Sequence, residues 1–180
     1  MNIKQIQANN DEIEAARKYS TIYDERDYGE NVLGVSHSEF IRFIFVGKLT
    51  ELVVKRHFED SGIDINTANM LIPAAGNHRI GADIILNYSN QEIDVKAANQ
   101  SFHSRLLVRE DQFKAHIHDI YIGTKCIDEL NVDIYGYIKG IDLKKSTVED
   151  FGYGPCRHIA LKKLLPMSQL IAKAKAKINI

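Results

Sequence analysis

The sequence predicts an α/β protein in which a mixed β-sheet is flanked by helices, with a helical N-terminal region. Residues 1–60 carry apolar side chains at helical spacing. Beyond Gly62, short apolar runs alternate with turn-rich segments, which is typical of strands. The resulting order, α, β, β, β, α, β, β, α, favours one sheet with helices against its faces. A chain of 180 residues, 44% of them hydrophobic, suits a single domain, residues 1–180, with a sizeable core.

The N-terminal part, residues 1–37, is predicted to be a helical extension. Asn10 or Asp11 can cap a short helix through EIEAARKYS, because their side-chain oxygens accept bonds from the first free backbone N–H groups. The polar stretch YDERDYGEN then predicts a loop. A second helical region has Ser38 as its expected N-cap and is expected to stop at Gly62.

Strands are expected in three apolar runs after this helix: NMLIP, GADIILNY and EIDVKAA. The tripeptide SNQ between the last two predicts a tight hairpin turn. The polar segment REDQFKAHI has helical potential, and two more strand candidates follow it in DIYIGTKCI and VDIYGYIKGIDL. The chain is predicted to end with a helix after Pro166.

Charge is distributed unevenly along the chain, although its net value is only −1. Residues 155–180 contain six cations and no acidic side chain, so 146–180 is interpreted as a basic C-terminal segment. Such a segment could contact phosphates, or it could be a solvated, lysine-rich end. The polar N-terminus lacks an apolar signal core, and no apolar run approaches the ~20 residues of a membrane span. A cytoplasmic protein without membrane contact is therefore expected.

The segment GADIILNYSNQEIDVKAAN contains the pattern that indicates chemistry. Side chains alternate between the faces of a strand, so Glu92, Asp94 and Lys96 are expected to project from one side. Three successive ionisable side chains on an otherwise apolar strand must face water or form a polar site, because buried unpaired charges are costly. Asp83 lies on the preceding strand of the predicted hairpin and could join them.

Binding of a divalent cation would explain this pattern of acidic side chains. Magnesium prefers oxygen ligands and commonly uses one or two carboxylates, which Asp83 and Asp94 could supply. Lys96 could orient or deprotonate an attacking water, or offset charge that develops on a phosphate. The predicted cofactor is Mg²⁺ or Mn²⁺, and Glu92 stays open as an alternative ligand to Asp94.

These residues resemble the PD-(D/E)XK nuclease superfamily, which includes restriction endonucleases, repair nucleases and Holliday junction resolvases. The family signature is an acidic residue that ends one strand and acid-x-Lys on the next, matched here by Asp83, ten intervening residues and Asp94–Lys96. The family often carries a glutamate on the helix before the first strand, and Glu51 matches it. Members resembling RecB-type nucleases carry a glutamine after the lysine strand, matched by Gln112.

The resemblance implies a restriction endonuclease-like fold with residues 38–145 as the catalytic core. It implies a metal-dependent endonuclease of the restriction or repair type, in which Asp83, Asp94 and Glu51 bind the metal and Lys96 acts on the water. DNA is the expected substrate because most of the resembled family acts on DNA, and a homodimer would allow both strands to be cut. The alternative is a non-catalytic nucleic-acid-binding or scaffold protein, and a third hypothesis is an interaction protein that uses its basic end.

Several candidate residues also have ordinary structural interpretations. Glu51 could pair with Lys55, one helical turn away. The loop AAGNHRIG, which contains His78 and Arg79, could bind substrate or could be a surface turn. Gln112 could be an ordinary exposed helix residue.

The histidines and cysteines predict no zinc site. His116 and His118 lie two residues apart and His103 lies upstream, but a helix end and a strand start need not bring the first two together. Cys126 and Cys156 lack the paired spacing of a zinc site or a disulfide framework.

Overall fold

Two β-sheets and five α-helices form the part of the chain that the computed structural model describes, residues 3–27, 36–67, 70, 81–152 and 154–178. The strands are β1 (Lys4–Gln7), β2 (Ile65–Asn66), β3 (Ile84–Leu86), β4 (Gln91–Ala98), β5 (Arg105–Arg109), β6 (Ile120–Cys126), β7 (Asn131–Lys139), β8 (Val148–Asp150) and β9 (Pro155–Ala160). The helices are α1 (Asn10–Asp27), α2 (His37–Asp60), α3 (Glu110–Ala115), α4 (Gly140–Leu143) and α5 (Met167–Ile178). The predicted α/β class, with a mixed sheet flanked by helices, is confirmed.

The larger sheet has six strands in the order β1-β7-β6-β4-β3-β2. The pair β4–β6 is parallel, and the other four described pairs are antiparallel. A parallel pair needs a crossover connection, which β5 and α3 supply here. This topology puts β4 inside the sheet, between β3 and β6.

The long helix α2 packs against one face of the larger sheet. A capping box fixes its start: Ser36, rather than Ser38, accepts the Glu39 N–H at 3.3 Å, and the Glu39 carboxylate accepts the Ser36 N–H at 3.1 Å. The helix ends at Asp60, and Gly62 follows with φ +72°, a left-handed conformation that favours glycine. The main core joins this helix to the sheet and includes Leu49, Val53, Ile84, Ile93, Val95 and Ile122.

The smaller sheet, with strand order β5-β9-β8, covers part of the opposite face. Tyr121 of β6 points to this side and belongs to a second apolar cluster with Leu106 and Leu164. A Cβ atom at Gly123 would lie 2.6 Å from Leu164 Cδ1. Glycine at this position therefore allows the second cluster to close onto β6.

The prediction of a helical N-terminal part is wrong for residues 4–7, which form β1 and pair with β7 at the sheet edge. Asn9, rather than Asn10 or Asp11, caps α1. Its side-chain carbonyl accepts the Glu12 N–H, and the Glu12 carboxylate accepts the Asn9 N–H, both at 2.9 Å. The helix also continues into the first part of YDERDYGEN, where a loop is predicted.

Most of the later elements are confirmed. The runs GADIILNY, EIDVKAA, DIYIGTKCI and VDIYGYIKGIDL contain β3, β4, β6 and β7, and REDQFKAHI contains α3. The helix after Pro166 is α5. Most of NMLIP lies outside the described residues. Strand β5, which precedes α3, is not among the predicted elements.

The C-terminal segment 146–180 is largely built into the fold rather than forming a solvated tail. Strands β8 and β9 belong to the smaller sheet, and α5 packs against β7. Arg157, one of the six cations, donates to the Glu110 carboxylate at 3.0 Å. Within the described ranges, none of the helices has the length and apolar character needed to cross a bilayer.

Candidate active site

The β3–β4 hairpin brings Asp83 to Asp94. Ile84 lies opposite Ile93 in the antiparallel register, so Asp83 and Asp94 follow as the next pair at the end of the ladder. The Asp83 N–H donates to the Ile93 carbonyl at 3.0 Å, and Asp83 Oδ2 accepts the Val95 N–H at 2.8 Å. These two bonds hold the Asp83 carboxylate against β4.

The alternation of β4 separates its apolar side chains from its charged ones. Ile93 and Val95 are buried in the main core, so Asp94 and Lys96 face the other way. Lys96 Nζ lies 2.8 Å from Asp94 Oδ2 and 3.1 Å from Oδ1. Both aspartates are buried, with 9% of Asp83 and 8% of Asp94 exposed, so this ion pair is not the solvated edge pair that is typical of protein surfaces.

Glu51 approaches this group from α2. Its negative charge acts on both Asp83 and Lys96, so the four side chains share one electrostatic environment, named here the carboxylate–lysine site. The alternative interpretation, in which Lys55 pairs with Glu51, is wrong among the residues that the structure describes. Lys55 pairs with Glu59 at 2.7 Å.

Lys48 is a functional candidate that the sequence reasoning missed. It is 3% exposed, contacts the Glu51 carboxylate and the Met70 carbonyl, and its Nζ lies 4.3 Å from the centre of the Tyr19 ring. A lysine among the apolar positions of α2 was the available signal, because buried lysines need a specific partner. Lys48 supplies a second cation beside the carboxylates.

The electrostatics of the carboxylate–lysine site favour an added cation. Burial, together with the charges of Glu51 and Asp94, holds the pKa of Asp83 well above its usual range, while Lys96 and the Val95 N–H act in the opposite direction. Burial tends to lower the pKa of Lys96, but the charges of Asp94, Asp83 and Glu51 outweigh it and raise the pKa above its ordinary value. Lys96 is therefore held as an ammonium ion.

The donor set also fits a hard divalent cation. Asp83 and Asp94 present carboxylate oxygens from adjacent strands, and Glu51 adds a third carboxylate from the helix. Mg²⁺ and Mn²⁺ prefer such oxygens, and water and substrate oxygens commonly complete their coordination. Asp83 Oδ2 accepts the Val95 N–H, so Oδ1 keeps more of its acceptor capacity for a metal ion.

Glu92 belongs to a different group. Its Oε2 forms hydrogen bonds with His116 Nε2 and, at 3.2 Å, with His118 Nδ1. The two imidazole rings lie 4.6 Å apart between their centres. The expectation that these histidines need not converge is therefore wrong, and the three residues are named here the histidine cluster. Asp94, rather than Glu92, is the acid that lies with Asp83.

The physical cause of this convergence is the parallel pairing of β4 with β6. Ile93 pairs with Ile120, which places the residues before β6 beside the start of β4. The Glu92 N–H donates to Asp119 Oδ2 at 2.9 Å. The hydrogen bond from His116 is the main cause that lowers the pKa of Glu92. Two histidines separated by one residue were the only local sign of this cluster.

Tyr121 lies between the two groups, because it pairs with Asp94 across the parallel register. Its hydroxyl accepts the His118 N–H at 3.2 Å. Burial raises the pKa of Tyr121 to about 12, so the phenol stays protonated. Tyr121 can therefore act as a neutral hydrogen-bonding group beside Asp94.

Of the three predicted substrate-binding residues, the structure describes one. Gln112 is exposed on α3, a helix that packs against β5 and β9 of the smaller sheet. Its placement matches the ordinary structural interpretation. His78 and Arg79 lie outside the described residues.

A cleft of about 700 Å³ opens beside Lys96, at the opposite end of β4 from Glu92. Phe102 in its wall is 76% exposed. The Arg105 guanidinium lies 5.2 Å from the centre of the Phe151 ring and pairs with Glu149 at 3.1 Å. The cleft thus offers aromatic faces and cations next to the carboxylate–lysine site.

The combined geometry can bind a divalent cation, hold an ammonium group beside it and admit a ligand with aromatic and anionic parts. Comparisons of this chain with family models, with curated proteins and with solved structures found no match. The functional interpretation therefore depends on the site itself.

Proposed function

We propose that this protein is a metal-dependent endonuclease of the PD-(D/E)XK type, acting on nucleic acid, with DNA as the expected substrate. The observation that carries the proposal is the meeting of Asp83 and Asp94 from adjacent strands with Lys96, within the field of Glu51. Two buried carboxylates that act on each other electrostatically are costly unless a cation compensates them. A structural ion pair would need one carboxylate, whereas this site has three.

The arrangement of elements supports the same proposal. The resembled family often carries a glutamate on a helix, followed by a strand that ends in an acidic residue and by the acid-x-Lys strand. Here α2 precedes β3 and β4, and the crossover through α3 returns to β6 in parallel beside β4. A restriction endonuclease-like fold is the finer assignment that we propose on this basis.

The chain's own residues would divide the work between binding and charge compensation. A bound Mg²⁺ or Mn²⁺ would polarise the scissile phosphate and lower the pKa of a water molecule. Asp83 Oδ1, Asp94 and Glu51 would hold the cation, and the Val95 N–H would keep Asp83 oriented.

Lys96 would serve as a positive charge and a hydrogen-bond donor rather than as a base. Its pKa is raised by the surrounding carboxylates, so it carries its proton at neutral pH. An ammonium group at this point can orient the attacking water or offset negative charge on the phosphate. Lys48, which contacts Glu51, would position that carboxylate without touching the substrate.

The cleft beside Lys96 would receive the nucleic acid. Phe102 presents an exposed ring on which a base can stack, and Arg105 lies in the same wall. Stacking on aromatic side chains tolerates different bases and contributes about 1–3 kcal/mol per base. This wall supports contact with bases that are unpaired or at a strand end, since the faces of paired bases are covered by their neighbours.

The test is a cleavage assay with the purified full chain on single-stranded and duplex DNA and RNA, with Mg²⁺, Mn²⁺ or EDTA. We expect metal-dependent cleavage that Asp94→Asn reduces by about 10³-fold or more, because metal and water positioning are lost together. Asp60→Asn, at the exposed end of α2, is the matched control and should cleave normally.

Either of two results would overturn the proposal. Metal-dependent cleavage that survives Asp94→Asn would place the activity elsewhere. Binding of DNA without cleavage of any substrate would favour the non-catalytic nucleic-acid-binding alternative.

A further inference from the structure

We infer that the histidine cluster, Glu92, His116 and His118, is a second metal site, selective for a borderline transition ion such as Zn²⁺ and open to solvent at one coordination position. The inference is independent of the proposed nuclease activity. It concerns a different donor set and needs no substrate.

The geometry of the three donors carries the inference. One ligand atom from each residue lies within 4.8 Å of the other two. His116 Nε2 and His118 Nδ1 both point at the same Glu92 oxygen. Ligand bonds to zinc are about 2.0–2.2 Å long, so donors this close need only small side-chain rotations to surround one ion.

The backbone around the cluster is held from several directions. The Glu92 N–H is bound by Asp119, and the His118 N–H by the Tyr121 hydroxyl. The His116 N–H donates to the Gln112 carbonyl at 3.0 Å, at the end of α3. Fixed backbones reduce the entropy cost of binding an ion, because only side-chain torsions remain to be ordered.

The donor chemistry separates this cluster from the carboxylate–lysine site. Two imidazoles and one carboxylate suit zinc and other late transition ions, whereas magnesium takes oxygen donors. Three protein ligands leave the fourth tetrahedral position to water, which is the arrangement of non-structural zinc sites. The exposure of the side chains agrees with this: 37% for His116, 33% for Glu92 and 10% for His118.

A hydrogen-bonded triad that binds only protons would have the same resting geometry, and metal titration separates the two. The probe is Co²⁺, which occupies zinc sites and absorbs visible light according to its coordination geometry, followed by displacement with Zn²⁺ in excess Mg²⁺. In excess Mg²⁺, which would fill the carboxylate–lysine site, we expect one equivalent of Co²⁺ to give a low-coordinate spectrum, and Zn²⁺ to abolish that spectrum.

Variants locate the ion. His116→Gln and Glu92→Gln should each weaken Co²⁺ binding by about 100-fold or more, since even second-sphere changes cost about 10–100-fold. His37→Gln, on the exposed first turn of α2, is the matched control, and circular dichroism verifies folding of each variant. In excess Mg²⁺, Asp83→Asn should give the same low-coordinate Co²⁺ spectrum as the wild type.

Three results would overturn the inference: no Co²⁺ spectrum from the wild type, an unchanged spectrum from His116→Gln, or loss of the spectrum in Asp83→Asn. The last would assign the ion to the carboxylate–lysine site. Failure to cleave any nucleic acid would not affect this inference, and absence of the low-coordinate Co²⁺ spectrum would not affect the nuclease proposal.

Discussion

The carboxylate–lysine site and the histidine cluster lie on the same face of β4, two residues apart, yet they are organised differently. In the first, both aspartates are buried, and the acids outnumber the cations that face them. The second is partly exposed, and each of its hydrogen bonds joins one acid to one imidazole. Strand β4 thus carries one group with uncompensated negative charge and, beside it, one group whose acid is hydrogen-bonded to two imidazoles.

The difference is informative because folding alone favours the second arrangement. Buried like charges destabilise the folded chain, so a fold that keeps them has a use for them or a missing counter-charge. The histidine cluster has no such stress, and its case for metal binding is geometric. Uncompensated charge indicates metal binding at the first group, and the convergence of ligand atoms indicates it at the second. Mutations in the two groups should therefore have different effects on stability.

The largest effect is expected for Lys96→Met. Removing the ammonium group takes away the cation nearest to Asp94 and the donor proposed to act on the phosphate. Nuclease activity should fall by about 10³-fold, in line with the loss of a positioned electrostatic group. Single-turnover cleavage kinetics at saturating Mn²⁺ measure this loss.

Lys55→Met is the matched control, because Lys55 forms an exposed pair with Glu59 on α2. It should leave cleavage unchanged. Lys96→Arg should rescue little, since a planar guanidinium does not reproduce a compact ammonium group. Wild-type rates in Lys96→Met would remove Lys96 from the proposed mechanism.

The sequence predicted the composition of the first group better than that of the second, and chain distance explains why. Asp83 and Asp94 lie on the two strands of a local hairpin, so strand alternation and one turn are enough to place them together. Glu92 meets His116 and His118 across 24 and 26 residues, through a parallel crossover. No periodicity in the sequence specifies which strand will pair with β4.

Pairing between distant segments also explains why the prediction of a helical N-terminus was wrong for residues 4–7. β1 is four residues of mixed polarity, KQIQ, whose pairing with β7 depends on an edge more than 120 residues away. Its sequence lacks the apolar alternation that identifies a strand. By contrast, α2 buries apolar side chains at helical spacing, and Pro166 comes directly before α5, so both helices could be predicted from local sequence.

Asp83→Asn should raise the free energy of unfolding of the metal-free protein at pH 7.5 by an amount on the order of 1 kcal/mol, as is usual for single substitutions, because the amide removes a buried negative charge that Glu51 and Asp94 oppose. The amide oxygen of asparagine can still accept the Val95 N–H, so the fold keeps that bond. Urea denaturation in EDTA measures the gain.

The sign of the pH dependence follows from the raised pKa of Asp83. The folded state favours the protonated carboxyl, so the wild type loses no stability from Asp83 below its ordinary pKa of 3.8. The loss grows as pH rises through the folded-state value. The advantage of Asp83→Asn should therefore be large at pH 7.5 and vanish toward pH 3.5. A variant that is less stable than the wild type at pH 7.5 would contradict the stress assigned to this site.

A smaller effect is expected for Phe102→Ala, because the cleft adjoins Lys96 and lies away from the histidine cluster. Loss of one stacking surface should weaken binding of single-stranded DNA by about 10-fold, at the lower end of the range for base stacking. Fluorescence anisotropy with a labelled oligonucleotide in Ca²⁺ measures the affinity. Leu165→Ala, another exposed apolar side chain, is the control. Equal affinities for Phe102→Ala and the control would exclude the cleft as the contact surface.

The smallest effect, and opposite in sign to that of Asp83→Asn, is expected for Glu92→Gln in metal-free protein. The hydrogen bond from His116 lowers the pKa of Glu92, so its stabilisation is present above the ordinary pKa and is lost as pH falls through the folded-state value. Because the Glu92 side chain is partly exposed to solvent, the loss should be less than about 1 kcal/mol at pH 7.5. Urea denaturation of Glu92→Gln and Asp83→Asn under the same conditions compares their free energies of unfolding. If Glu92→Gln were more stable than the wild type, the negative charge of Glu92 would be unfavourable in the folded protein, as that of Asp83 is.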